Sequence, residues 1–323
     1  MASPYKINEQ MKKTFPFTLR TALGAAITLM IALCDFSFAA TTQQKSFSSA
    51  AEAVKAVMTA ARNDDNNELI AIFGPGAKEL IFSGDPVADK QRRAQLLKAY
   101  DENNRLDQQG GKVVLTIGKE DWPFPIPLVK RGANWVFDTD AGKEEILNRR
   151  IGENELHTIQ VCRAIVDAQR EYAMKDRMGD GLLQYAQKLA SDPGKNNGLY
   201  WEAAGGEEQS PVGPMIAQAK QEGYKRNTSG GTPPPYHGYY YKILTAQGKN
   251  APGGAYSYLV KGKMIGGFAV VAYPAQYGNS GVMTFIVNHE GKVFQKNLGK
   301  NTASVAAAMT QYNPDSTWSE VKE

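Results

Sequence analysis

The chain has 323 residues, of which 42% are hydrophobic and 22% charged, with a formal net charge of +4 and two cysteines. That length can hold two domains with substantial cores, and two cysteines exclude a disulfide-knit scaffold. No basic cluster answers the phosphate charge that nucleic-acid binding must neutralise, so no nucleic-acid partner is expected.

Residues 1–39 read as an export signal. Met11-Lys12-Lys13 and Arg20 form a positive front, and Ala22 to Cys34 is an apolar run too short for a comfortable membrane span. Ser37-Phe38-Ala39 puts small residues where a signal peptidase reads. The expected product begins near Ala40, is periplasmic or secreted, and has no transmembrane span. Acylation at Cys34 is the alternative, which the bulky Leu33 before it disfavours. The signal holds four basic residues (Lys6, Lys12, Lys13, Arg20) and two acidic ones (Glu9, Asp35), so residues 40–323 carry +2. They keep only Cys162, so no intramolecular disulfide can form.

The exported part opens with a helix. Ser49 and Glu52 have capping-box spacing, and Ala51, Val54, Val57, Met58 and Ala61 share one face. Leu69 to Phe73 reads as a second helical piece closed by Gly74-Pro75-Gly76. Asp85-Pro86 starts a third helix that runs to about Tyr100. The period then changes: Val113 to Ile117 is a strand, and Ile126 to Val129 with Trp135 to Phe137 is a hairpin turned at Arg131-Gly132-Ala133-Asn134. Helices followed by a small sheet resemble the cone-shaped NTF2-like or cystatin-like layout, with fewer strands.

From Asn154 to about Lys175 a strong helical period sets Leu156, Ile159, Cys162, Ile165, Val166, Gln169 and Tyr172 in one stripe. A shorter helix is expected from Leu182 to Ala190. Residues 192–235 are irregular apart from a helix from Met215 to Gln221. The last third is a strand meander: Tyr239 to Leu244, Tyr256 to Val260, Met264 to Tyr273, Val282 to Asn288 and Lys292 to Asn297. Phe268 to Tyr273 is apolar on both faces, which predicts a central strand covered by the long helix. A short helix from Ser304 to Thr310 comes next. The fold class is α+β: N-terminal helices with a small antiparallel sheet (40–150), then a long helix and an antiparallel meander covered by helix (151–323).

Several stretches resemble one family. They are Gly194-Lys195 with Gly198-Leu199-Tyr200-Trp201, Ser210-Pro211-Val212-Gly213-Pro214, Pro235-Tyr236-His237-Gly238-Tyr239-Tyr240-Tyr241, Gly267 to Pro274 and Gly278 to Asn288. The family is an uncharacterised group of exported bacterial proteins, defined as a domain of unknown function, and the similarity covers most of the exported part. The resemblance implies an envelope location and supplies no catalytic residues. The meander also resembles type IV pilin-like sheets in architecture, without that group's N-terminal processing site.

The aromatic residues Trp201, Tyr236, Tyr239, Tyr240 and Tyr241, with His237, form the candidate binding site, because rigid rings can stack on sugars or anchor a peptide at low entropy cost. Tyr256 and Tyr258 lie nearby in sequence. The competing reading is that adjacent tyrosines alternate between sheet faces as ordinary strand formers. Ser280 with His237 or His289 would be the nucleophile and base of a hydrolase. Glu202, Glu207 and Glu208 beside Trp201 read as a solvated loop rather than glycosidase acids. His157, His237 and His289 lack metal-ligand spacing, and neither metal nor cofactor is expected. Cys162 reads as a small core residue. The leading expectation is a non-catalytic binding or accessory factor for another envelope protein or a cell-wall polymer. The alternatives are an envelope hydrolase and a structural subunit of a surface assembly.

Overall fold

Ser49 sits in extended backbone and its hydroxyl accepts from the Glu52 amide, which starts α1, Ala50–Arg62. The computed structural model describes residues 43–203, 206, 208–225 and 234–322; the expected export signal with Cys34, and Glu207, lie outside the described residues. Asp65 caps α2 (Asn66–Phe73) in the same way, a short α3 (Lys78–Ile81) comes after it, and Asp85 with Pro86 opens α4 (Pro86–Glu102). The antiparallel sheet β1 (Asn104–Gln109), β2 (Lys112–Ile117), β3 (Trp122–Pro123), β4 (Leu128–Arg131) and β5 (Asn134–Phe137) has the order β1-β2-β4-β5, with β3 also on β2. β1 goes unrecognised in the sequence because Asn104-Arg105-Leu106-Asp107-Gln108-Gln109 carries no apolar alternation. As an edge strand with no fully buried residue, it needs none.

The next helix, α5 (Thr139–Tyr172), has 34 residues and is about 50 Å long. It starts fifteen residues before the Asn154 expected from the periodicity. Gly142 and Gly152 disguise its first half, and few apolar residues mark it. Leu156, placed on the apolar stripe by sequence, is 65% exposed; the buried stripe runs through Thr158, Val161, Cys162, Ile165, Val166, Gln169 and Tyr172. The helix expected over Leu182–Ala190 is absent. Its backbone is taken by other segments: the Gln169 amide donates to Ala186 O and accepts from Ala186 N, and Tyr185 N donates to Met264 O. With those groups engaged in tertiary bonds, no i to i−4 ladder can close.

After α6 (Gly213–Gln221) come β6 (Tyr239–Leu244), β7 (Ala246–Gln247), β8 (Tyr256–Ser257), β9 (Leu259–Val260), β10 (Lys263–Met264), β11 (Ala269–Pro274), β12 (Met283–Asn288) and β13 (Val293–Asn297). Then α7 (Thr302–Ala308), β14 (Gln311–Tyr312) and β15 (Ser319–Glu320) close the chain. The main sheet is antiparallel throughout, in the order β15-β13-β12-β11-β6. β11 is interior and buried from Ala269 to Ala272, as its two-sided apolar sequence predicts. Tyr241 and Lys242 are neighbours on β6 and so point to opposite faces. The Tyr241 hydroxyl lies 3.4 Å from Thr158 Oγ1 on α5, while the Lys242 ammonium donates to Ala307 O on α7. The sheet is therefore covered by α5 on one face and α7 on the other. The fold is α+β, and no helix among the described residues is long and apolar enough to cross a membrane.

Residues 40–323 form one compact unit with two apolar cores. One joins α1 and α2 to β2, β4 and β5 through Val57, Ile72, Leu115, Leu128 and Phe137. The other joins α5 to the main sheet through Cys162, Ile165, Val166, Val270 and Ile286. The first half of α5 serves the former and the second half the latter. Burial pushes the Cys162 thiol up to about 12, so it is an inert packing group.

The two α5 glycines predict substitutions of opposite sign. A Cβ on Gly142 would lie 2.5 Å from Pro125 O, whereas one on Gly152 meets nothing within 4 Å. Gly142→Ala should destabilise the protein by about 1–3 kcal/mol through overpacking, and Gly152→Ala should stabilise it by about 0.5–1 kcal/mol through helix propensity. Urea denaturation measures both.

Candidate functional site

A half-open cavity of about 450 Å³ indents the N-terminal half of the protein. It lies between α1, α2, α3, α4, the first half of α5 and the β2–β3 side of the N-terminal sheet. Its body is apolar, built from Val57, Leu69, Phe73, Leu96, Phe124, Ile126 and Ile146 among others. α4 explains why it stays open. Of its 17 residues only Ala88 is buried, because Leu96 and Ala99 look onto the cavity instead of being sealed by a neighbour.

Arginines from two helices complete the lining: Arg92 and Arg93 from α4, Arg149 and Arg150 from α5. Arg93 is neutralised by Asp64 at 2.7 Å, and Arg149 by Glu145 at 2.6 Å, while the Arg149 guanidinium also stacks 4.8 Å over the Trp122 ring. Arg150 differs. It is 5% exposed and no carboxylate forms an ion pair with it among the described residues. It donates to the carbonyls of Glu79 and Leu80 and to Asn279 Oδ1, and its Nε is buried without a partner. Burial, then the charge of Arg92, lowers it to about 10, against the pull of Asp89. Arg92 donates through Nη2 to Asn154 Oδ1 at 2.7 Å and lies 3.4 Å from Glu153, and its Nη1 is also buried and unpartnered. Asp89 is held above the usual carboxylate range, mainly by burial.

Beneath this cavity lies a polar joint between the two halves. Asp85, 1% exposed, accepts from Val87 N and Ala88 N through Oδ1, capping α4. Its Oδ2 accepts from the Tyr224 hydroxyl at 2.8 Å and Gly238 N at 2.9 Å. Tyr236 and Tyr239 bridge a two-residue turn in which His237 (φ 48°) and Gly238 (φ 75°) are both left-handed. The His237 ring lies 4.5 Å from that of His157 on α5, and its Nε2 is 3.3 Å from Glu222 Oε2. Asn154 donates to Ser280 O, and Glu155 accepts from Val282 N and Met283 N, so consecutive α5 side chains hold the turn before β12.

The residues singled out from sequence fall in different places. Trp201 is buried under Arg177, with its indole N–H donating to Glu208 O. Tyr239 is fully buried and donates to Met283 O; Tyr241 is half-buried on the same face, against α5. Tyr240 points the other way and packs against Tyr273 at 5.6 Å. Tyr236 and His237 are half-buried, at the joint. Ser280 is fully buried, and its hydroxyl bonds the main chain of Gln276. His289 lies beyond the far end of β12, about 20 Å along the strand, so it cannot serve Ser280 as a base. Glu208 pairs with Lys175 and Arg177, and Glu202 lies 3.7 Å from Lys220. No group of three or more metal-ligating side chains occurs among the described residues.

The cavity escapes sequence reading because its lining comes from five helices and two strands. Its one legible trace is the pair of mid-helix doublets, Arg92-Arg93 and Arg149-Arg150. The motifs around 194–201, 210–214, 235–241 and 267–288 instead mark packing and turns, and over residues 44–321 the chain matches the family described as "Protein of unknown function (DUF2950)". The chain belongs to the DUF2950 family. Membership agrees with those motifs, and it carries no assigned activity. No curated protein and no solved structure matches the chain.

Asp85→Ala should cost about 3 kcal/mol, since it removes an N-cap and orphans two further buried donors, whereas Tyr224→Phe should cost about 1 kcal/mol. Denaturant unfolding distinguishes the two. Burial, then the charge of His157, lowers the His237 pKa, outweighing Glu222 and Asp85. The unfolded chain therefore binds this proton more readily, and the contribution to stability, complete above about pH 6.5, is lost as the pH falls below it. In His237→Asn, which tolerates the left-handed turn, the fall in Tm between about pH 7.5 and about pH 5.5 should be smaller than in the wild type.

Proposed function

We propose that this protein is an exported, non-catalytic binding factor of the bacterial envelope, and that the apolar cavity of its N-terminal half is the ligand seat. The carrying observation is the cavity itself: about 450 Å³, apolar in its body, with a few fixed polar groups at one side. Small-molecule sites have this size and composition. The export part of the reading rests on the signal-like residues 1–39 and on the resemblance to exported proteins. The non-catalytic part rests on the chemistry of the lining. Guanidinium groups stay protonated at neutral pH, so they can orient and neutralise but not act as nucleophile or base, and the two lining carboxylates are engaged, Asp89 by the Ser83 amide and Glu153 by Arg92. The Ser280 hydrolase reading loses its support, because the hydroxyl is committed to its own turn.

On this reading the aromatic segment around 236–241 has a structural part to play: it docks the C-terminal sheet against α4 and α5 and so holds the cavity walls. Tyr236, His237 and Tyr240 keep some exposure and are its residual binding surface, whereas Tyr239 is unavailable to any ligand.

Titration with the neutral apolar fluorophore N-phenyl-1-naphthylamine tests the seat. Saturable binding near one site per chain is expected, abolished by Leu96→Trp, which fills the cavity, and weakened severalfold by Trp122→Ser, a 55%-exposed residue on its lining. Unchanged binding by both variants at unchanged Tm would overturn the assignment.

A further inference from the structure

Arg150, which is buried, and Arg92, which is half-buried, share one wall of the cavity with too little negative charge to answer them. Arg93 and Arg149 each have a close carboxylate; Arg150 has none, and Arg92 has only the 3.4 Å approach of Glu153, which is itself half exposed. Both Arg92 and Arg150 keep one buried N–H with no acceptor, at Nη1 and Nε respectively. An unsatisfied buried donor on a charged group is costly, and two like charges on one wall add to that cost. The carboxylate whose charge acts on Arg150 is that of Asp89, but burial favours its neutral form and its Oδ2 already accepts from Ser83 N.

We propose that the cavity binds a single-chain amphiphile with an anionic head, its acyl or alkyl chain in the apolar body and its head between Arg92 and Arg150. An anion there answers the two like charges on this wall and relieves the repulsion between the guanidiniums. A carboxylate suits the site best, since its two oxygens can accept one bond from each arginine. At about 30 Å³ for each water-sized group, the volume holds roughly fifteen such groups, which fits a medium-length chain with its head. This inference rests on the ligand seat proposed above and adds the class of ligand.

Calorimetric titration of the full chain with decanoate and with decanol separates the two ideas. Decanoate should bind about 10- to 100-fold more tightly than decanol. Arg92→Gln, which keeps a donor for Asn154 but removes the charge, should bring the two ligands to within about threefold of each other. Arg150→Lys serves as the second variant, because it retains a buried charge and can reach the Glu79 and Leu80 carbonyls; it should also reduce the preference. Equal binding of decanoate and decanol by the wild type would overturn the head-group assignment and leave the apolar seat standing. Failure of both ligands and of N-phenyl-1-naphthylamine to bind would overturn the seat as well.

Discussion

The carboxylate of Asp85 joins everything else. One oxygen starts the helix α4 by accepting from its first free amides, and the other takes the Tyr224 hydroxyl and the Gly238 amide from the C-terminal half. A buried carboxylate is tolerable only where donors surround it, and four of them do. The consequence is geometric. α4 cannot move relative to the turn that begins β6 without stripping a buried charge of its partners, so the helix that lines the cavity is fixed to the C-terminal sheet.

The second constraint is the continuity of α5. A single helix supplies Ile146 and Arg150 to the cavity and Ile165 and Val166 to the core of the main sheet. Between them, Arg150, Asn154 and Glu155 bind the turn over 276–283 through Asn279, Ser280, Val282 and Met283. These are polar contacts to main chain and amide groups, and they specify register where apolar packing alone would allow the helix to slide. They also fix the azimuth at which Arg150 enters the cavity wall. The two cores are therefore coupled through one rigid rod rather than through a linker.

Much of the architecture is legible in local chemistry. The caps at Ser49 and Asp85, the hairpin around Gly132, the two-sided burial of β11 and the short helix after β13 all arise from residue type and spacing. Local patterns mislead where tertiary contacts override them. Gly142 lowers the helix propensity of α5, yet the glycine is required because Pro125 O approaches its backbone. Leu182–Ala190 has helical composition, yet Gln169 and Met264 claim its backbone groups. β1 has no strand pattern and forms because the Gly110-Gly111 turn folds it back onto β2.

By itself, the chain's sequence determined the α+β class, the order of the main elements, the family and the inert role of Cys162, since each depends on periodicity, capping or motif, which are local. It also singled out the aromatic run at 236–241, but not which rings would be buried: alternation along β6 sends Tyr239 and Tyr241 to α5 and Tyr240 to the other face. Only the tertiary structure decided where a ligand could sit. The cavity is made from side chains up to 96 residues apart in the chain, from Val57 to Glu153. A void is a property of how packed elements fail to meet, and the two arginines become unusual only once folding has set them on one wall.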